Sequence, residues 1–434
     1  MSIVFDADTR SAQSLYRKID RRVLAFLAVC YAVAYIDRVN IGFAKLQMQQ
    51  DLALSDAAYG FGAGIFFLGY MLFEIPSNQL LTRIGARKTL SRIMLLWGIA
   101  SMSMFLVTDA TSFYVVRFLL GVFEAGFAPG MLFYLTRWYP RERLSRAMAL
   151  LLCAAPLGGI VAAPVSGWLL EHMKDVAGLA GWQWMFLIEG VPALLLGLIA
   201  LTWLSDAPQD ARWLTADEKQ AVIEQCGTDR STPERWSALK TVLRDAGIYR
   251  LSAVYFCLIC GVYVVGFWLP SILKASGVNS IVAIGWYSAI PYAAAIAGMY
   301  WLARRSDRTL ERRRHAGIAA AAGAGVLTVA ALFVDRFGVA IVAITIATAL
   351  TYAAYAVFWA IPAEYLRSSV AATGIAFVNT VGLLGGFLSP TIIGTLKSIS
   401  GSTSAGLFVI VGLLTLGALL LLIRPIRSTE AVRT

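Results

Sequence analysis

Two arginines and two acids are the residues of this chain best placed to do chemistry. Of its 37 Lys and Arg residues, only Arg38 and Arg117 fall inside long apolar stretches, and each lies near a carboxylate, Asp37 or Glu124. Charge at membrane depth is costly and persists mainly where it faces a cavity, a partner or an ion path. A guanidinium stays charged at any working pH and offers a planar fork of donors matched to a carboxylate, so the arginines suit an organic anion. Burial and a neighbouring Arg favour opposite protonation states of a carboxyl group, so Asp37 and Glu124 suit a proton switch. Arg117 and Glu124 are seven residues apart, two helical turns and about 10.5 Å, and are expected on one face.

The elements that must position these residues are membrane helices. Hydrophobic residues make up 59% of the 434 and charged residues 15%. Apolar runs long enough to cross about 30 Å of hydrocarbon recur from end to end, each needing about 20 residues. Twelve spans are expected, roughly 22–44, 57–80, 89–108, 112–135, 146–171, 182–204, 250–272, 280–303, 315–334, 338–361, 370–396 and 402–423. A transmembrane strand would need only about 10 residues of alternating pattern, so the fold class is all-α integral membrane.

Basic residues set the orientation. Thirty Lys and Arg fall in the two tails and the loops on one side, against Lys45, Lys174, Lys274, Arg336 and Lys397 on the other. That asymmetry puts both termini in the cytoplasm and accounts for the net charge of +11 without a nucleic-acid partner. The charged N-terminal stretch, with no short apolar core and small-residue cleavage site, does not suggest a removed signal peptide. Cys257 and Cys260 form a lone CxxC inside an apolar helix, which reads as packing, so no metal or other cofactor is expected. The only two histidines, His172 and His315, lie near opposite membrane faces, and no nucleophile–base grouping is visible, so an enzyme is not expected.

Residues 205–247 form a long hydrophilic connector between a six-span half, 1–204, and a second, 248–434. Within the connector, Asp217 to Gln225 could form a short amphipathic surface helix. The halves resemble each other: span 5 carries LGGIVAAPVSG (Leu157 to Gly167), span 11 carries LGGFLSPTIIG (Leu384 to Gly394), and basic loops follow spans 2 and 8. Parallel six-span repeats are a transporter architecture with a site near mid-membrane between the halves. Gly allows close helix approach, and Pro is tolerated where protein or a cavity re-satisfies the freed backbone, so spans 5 and 11 are candidate gating helices.

Six stretches carry a family resemblance: YIDRVNIGFA (Tyr35 to Ala44), Gly64 to Asn78, RFLLGVFEAGFAPG (Arg117 to Gly130), GWQWMFLIEGVPA (Gly181 to Ala193), SDRTLERRRH (Ser306 to His315) and GIAFVNTVGLLGGF (Gly374 to Phe387). They resemble the major facilitator superfamily, specifically its anion:cation symporter branch, with its bacterial carriers of tartrate, phthalate, hydroxyphenylacetate and sugar acids and the sialin and vesicular glutamate transporter group. The resemblance implies two pseudo-symmetric six-helix bundles and alternating access. It places Arg38, Arg117, Tyr35, Tyr70, Trp359 and Asn379 in the substrate site and spans 1 and 4 beside the central cavity. In the superfamily the loop after span 2 is a conformational latch. Here Asn78 and Thr82 replace its usual Gly and Asp, so Arg83 and Arg87 are the first-half latch candidates, with Asp307 and Arg308 in the second half. Glu74, Glu189 and Glu364 are expected to be latch or structural residues. Tyr255, Tyr263 and Tyr355 are further pocket candidates.

Charge accounting turns the site into an expected mechanism. With both arginines and both acids ionised the set is neutral, and an incoming anion adds uncompensated negative charge that a proton on Asp37 or Glu124 would remove. Proton-coupled uptake of a small organic carboxylate is therefore expected; the resemblance implies a tartrate-like or aromatic one, since sugar-acid members of the branch carry an amide in span 5 and hydroxyls before the span 10 tryptophan where this chain has Ala154–Pro156 and Ala356–Phe358. Antiport or export of an organic anion is the alternative. The expected partners are that carboxylate, a proton and membrane lipid, with a monomeric protein in a bacterial inner membrane.

Overall fold

The computed structural model describes residues 13–226, 235–366 and 368–423; residues 227–234 of the connector, Arg367 and both chain ends lie outside the described residues. Among the described residues, twelve helices are long and apolar enough to cross a membrane: span 1 Gln13–Asp51, span 2 Asp56–Ile84, span 3 Ala86–Leu106, span 4 Ala110–Leu135, span 5 Glu142–His172, span 6 Gly181–Trp203, span 7 Ala246–Ala275, span 8 Ile281–Thr309, span 9 Arg312–Leu332, span 10 Phe337–Tyr365, span 11 Thr373–Ser400 and span 12 Thr403–Leu422. Each expected span falls on one of them. Twelve crossings return the chain to the side on which it began.

Side-chain caps mark where several spans begin. The Ser55 hydroxyl accepts from the Ala58 N–H at 3.0 Å, Asp109 accepts from the Ser112 N–H at 2.7 Å, and Ser280 accepts from Ala283 at 3.2 Å. Each satisfies a helix-end donor that would otherwise face the membrane boundary unpaired.

Two spans are broken, which the run lengths did not anticipate. Span 4 is helical over Ala110–Glu124 and again over Phe127–Leu135. Between them Gly126 takes φ +83°, where a Cβ would also lie 2.7 Å from the Ser77 hydroxyl, so only glycine fits. Glu124 thus ends the first segment, where the helix turns aside. Span 10 divides into Phe337–Phe358 and Ala360–Tyr365 around Trp359. Pro362 has no N–H to offer the carbonyl four residues earlier, which explains the break.

Spans of the two halves meet in pairs: 2 against 11, 5 against 8, and 1 against 7. Spans 5 and 11 are the two that carry the repeated Gly-Gly…Pro…Gly pattern. A Cβ on Gly285 of span 8 would lie 2.6 Å from the Ala163 carbonyl oxygen of span 5, so the two backbones touch near the face opposite the chain ends. In the connector, Ala216–Cys226 forms the expected helix and Arg235–Arg244 a second one. The first is tied to span 1 by Lys18–Glu218 at 2.8 Å and by Tyr16 donating to Gln225 at 2.9 Å.

Candidate functional site

Span 1 distributes its polar residues around its circumference. Tyr35 and Arg38, three residues apart, share the face turned toward the other half, whereas Asp37, one position from Arg38, is about 100° round the helix. The two neighbours in sequence therefore cannot serve one cavity, and they do not.

Arg38 makes the central ion pair. Its Nε donates to Glu124 Oε1 at 2.8 Å and its Nη2 to the same oxygen at 2.5 Å, while Nη1 lies 3.4 Å from the Tyr263 hydroxyl of span 7. The guanidinium also sits 5.5 Å from the Tyr70 ring, at cation–π range. Glu124 is fully buried, and its second oxygen, Oε2, has no hydrogen-bond partner. Arg38 is thus held by one half while touching the other.

Asp37 points into the first half. Its Oδ1 accepts from Ser101 at 2.5 Å and from Asn40 at 3.3 Å, and its Oδ2 accepts from the Trp97 indole at 2.5 Å. Three donors converging on an acceptor-only group match a carboxylate held in place between spans 1 and 3. Glu189 of span 6 accepts from Ser166 of span 5 at 2.6 Å, a second buried acid inside the same half.

The expectation that Arg117 joins Glu124 in the cavity is not met in this conformation. Arg117 is 1% exposed, donates to the Ala63 carbonyl at 3.1 Å and the Gly62 carbonyl at 3.4 Å, and lies over the Phe66 ring at 5.1 Å. Spans 2 and 4 cross through glycine contacts, Gly69 against the Phe118 carbonyl and Gly121 against the Phe66 carbonyl, close enough for the guanidinium to reach the span 2 backbone. Long helical side chains also lean toward the N-terminus, away from Glu124. The four charges therefore form three separate arrangements, with only Arg38 and Glu124 bonded to each other.

Aromatic residues line the rest of the seam between halves. The Tyr35 hydroxyl is paired with that of Tyr352 in span 10, and its ring meets Tyr292 of span 8 edge-on at 6.1 Å. Phe67 and Tyr263 pack across the seam at 4.7 Å. Trp359 packs against Tyr255 at 4.7 Å. Tyr255 donates to Asn379 at 3.5 Å, and Asn379 donates to Glu74 of span 2 at 3.1 Å, so Glu74 bridges the halves. Tyr352 was missed from sequence, although Tyr352, Tyr355 and Trp359 at i, i+3 and i+7 mark one helix face. Trp97, Ser101, Asn40 and Ser166 were missed because nothing local distinguishes a polar residue that serves a buried acid from one that packs.

The latch candidates sit at the ends of spans 2, 3 and 8. Arg87 donates its backbone N–H to Asp206 at 2.8 Å, and its Nε lies 3.8 Å from the same carboxylate. Asp307 is paired with Arg312, which also binds Glu364 at 3.0 Å, so its partner is not the adjacent Arg308. Arg83 and Arg308 are exposed. No group of three metal-ligating side chains occurs among the described residues.

The family model described as Major Facilitator Superfamily matches residues 27–390. A "Putative tartrate transporter" of Agrobacterium vitis is 43% identical over 96% of this chain and 93% of its own. A "Quinolone resistance transporter" of Acinetobacter baumannii is 38% identical over 91% of each. Among solved structures, a bacterial homologue of the human lysosomal transporter Spinster, in an inward-facing and occupied conformation, shares the fold with a TM-score of 0.75 at 17% identity over 92% of this chain and 96% of that one. With twelve spanning helices, a family match over most of its length and relatives of this closeness, the chain belongs to the Major Facilitator Superfamily and is a multi-pass membrane transporter, not an enzyme.

Proposed function

We propose that this transporter is a proton-coupled symporter that takes up a small organic carboxylate through the bacterial inner membrane, with both termini cytoplasmic. The halves 1–204 and 248–434 rock about the seam, joined by 205–247. The observation that carries the reading is the Arg38–Glu124 pair at that seam, with one Glu124 oxygen unpartnered. An anion that seeks the Arg38 fork must compete with Glu124. A proton on Glu124 Oε2 neutralises the competitor, frees the guanidinium and cancels the charge the anion brings. Release of both on the cytoplasmic side restores the pair, and the neutral empty site can return.

Two features bear on the substrate. One guanidinium, not two, is presented to the seam, which suits one carboxylate held in a fork; Tyr35, Tyr70, Tyr263 and Trp359 supply ring faces and hydroxyls for the remainder. Both tartrate-like acids and aromatic carboxylates belong in the test, and kinship with a tartrate carrier favours the first. Kinship with a quinolone-resistance protein favours a second reading, export of an organic anion, since a quinolone is itself an aromatic carboxylic acid. Counterflow in proteoliposomes with labelled tartrate, phthalate and hydroxyphenylacetate identifies the substrate. An imposed proton gradient then decides the mechanism: external acid driving accumulation supports symport, external acid driving expulsion establishes antiport, and indifference to an ionophore refutes coupling.

A further inference from the structure

A second cluster of charge lies two helical turns, about 10.5 Å, along span 1 from Arg38, toward the face opposite the chain ends. There a pocket of about 240 Å³ is lined by Lys45 and Gln49 of span 1, Ser271 and Lys274 of span 7, and Lys397 of span 11. Three ammonium groups from both halves thus converge on one concavity. Lys45 is only 3% exposed; its Nζ stands 3.7 Å over the Trp268 ring and 2.6 Å from Asp56, which also lies 3.3 Å from Lys397. Lys274 reaches the Leu46 carbonyl at 3.4 Å. One carboxylate thus serves two lysines, and Lys274 brings a third amine to the same concavity, so the pocket carries an excess of positive charge. Like charges held together in a partly buried space repel unless a counter-ion joins them.

We infer that this pocket binds a small soluble dianion, such as a dicarboxylate, at a site distinct from the central one. Amide and hydroxyl side chains beside the ammonium groups, Gln49 and Ser271, can complete its hydrogen bonding. The consequence is conformational. The lysines meet only while spans 1, 7 and 11 are packed together on this face, so the dianion binds the closed arrangement better than an open one and holds it closed. An anion on that face is therefore a brake on opening there, whatever the substrate of the central site.

The test uses purified full-length carrier and tartrate or sulfate as the dianion probe, in nanodiscs of phosphatidylcholine and, separately, of phosphatidylglycerol. In an Arg38→Gln background, which disables the central fork, the probe should still raise the thermal midpoint in a saturable way, more weakly at high salt. Lys274→Gln and Lys397→Gln should each weaken this binding by about tenfold, and Lys274→Arg should retain it. Absence of saturable binding in Arg38→Gln, or unchanged affinity in both Gln variants, would overturn the inference. So would binding that disappears in phosphatidylglycerol, since a lipid headgroup would then be the occupant. A negative transport screen leaves this test intact, so the two proposals fail separately.

Discussion

Replacing Glu124 by Gln should separate anion binding from the proton. Both Arg38 donors converge on Oε1, and Oε2 has no partner, so a Gln side chain can turn its carbonyl to Arg38 and its amide nitrogen to the unoccupied side. The fold is expected to survive. Arg38 keeps its charge, so the Gln carbonyl still accepts from it, but the ion pair becomes an ion–dipole contact and the competitor for the Arg38 fork weakens by about 1.5 kcal/mol. That corresponds to an anion affinity about tenfold tighter than wild type at a pH where Glu124 is ionised. Protonation frees Arg38, so wild-type affinity should rise as the pH is lowered; the Gln variant should lack that rise. Equilibrium binding of labelled substrate measures both, and counterflow should persist while gradient-driven accumulation fails. If the folded Gln variant still accumulates substrate like wild type, the coupling proton rides elsewhere, with Asp37 the first suspect. If it loses counterflow, Glu124 is needed for binding and the competition argument is wrong.

Three further outcomes separate the roles assigned above. Arg38→Lys should weaken substrate binding about tenfold or more because an ammonium cannot reproduce the fork, whereas Arg117→Lys should lower the thermal midpoint and leave affinity within about threefold; an affinity loss at Arg117 as large as at Arg38 would place that guanidinium on the substrate. Trp97→Phe removes the indole donor from Asp37 and should cost about 1.5–3 kcal/mol of stability, read as a lower midpoint in thermal denaturation with substrate affinity kept. Gly285→Val forces a side chain against the Ala163 carbonyl and should wedge spans 5 and 8 apart on the face opposite the chain ends; a cysteine placed at Ser271 in a cysteine-free background should then label faster with an impermeant thiol reagent, and unchanged labelling would show that this contact does not close the gate.

Composition and run length were sufficient to establish twelve membrane helices, because a segment in hydrocarbon must satisfy its own backbone and must be about 20 apolar residues long to cross. The same cost of burying charge singled out Arg38, Arg117, Asp37 and Glu124 from sequence alone, and six short motifs spread over both halves carried the family resemblance. Their grouping was another matter. A seven-residue spacing places Arg117 and Glu124 on one helix face, but whether a long guanidinium reaches a cavity or a neighbouring carbonyl depends on how closely spans 2 and 4 approach, which glycines of both helices decide together. The one-residue offset between Asp37 and Arg38 already implied divergent faces, yet only the packing of span 3 placed Trp97 and Ser101 to receive Asp37. The break after Glu124 rests on a left-handed glycine that no hydropathy window reveals. Sequence thus determines which residues are too costly to bury without a purpose; the tertiary contacts, made between helices far apart in the chain, decide which partner each one has.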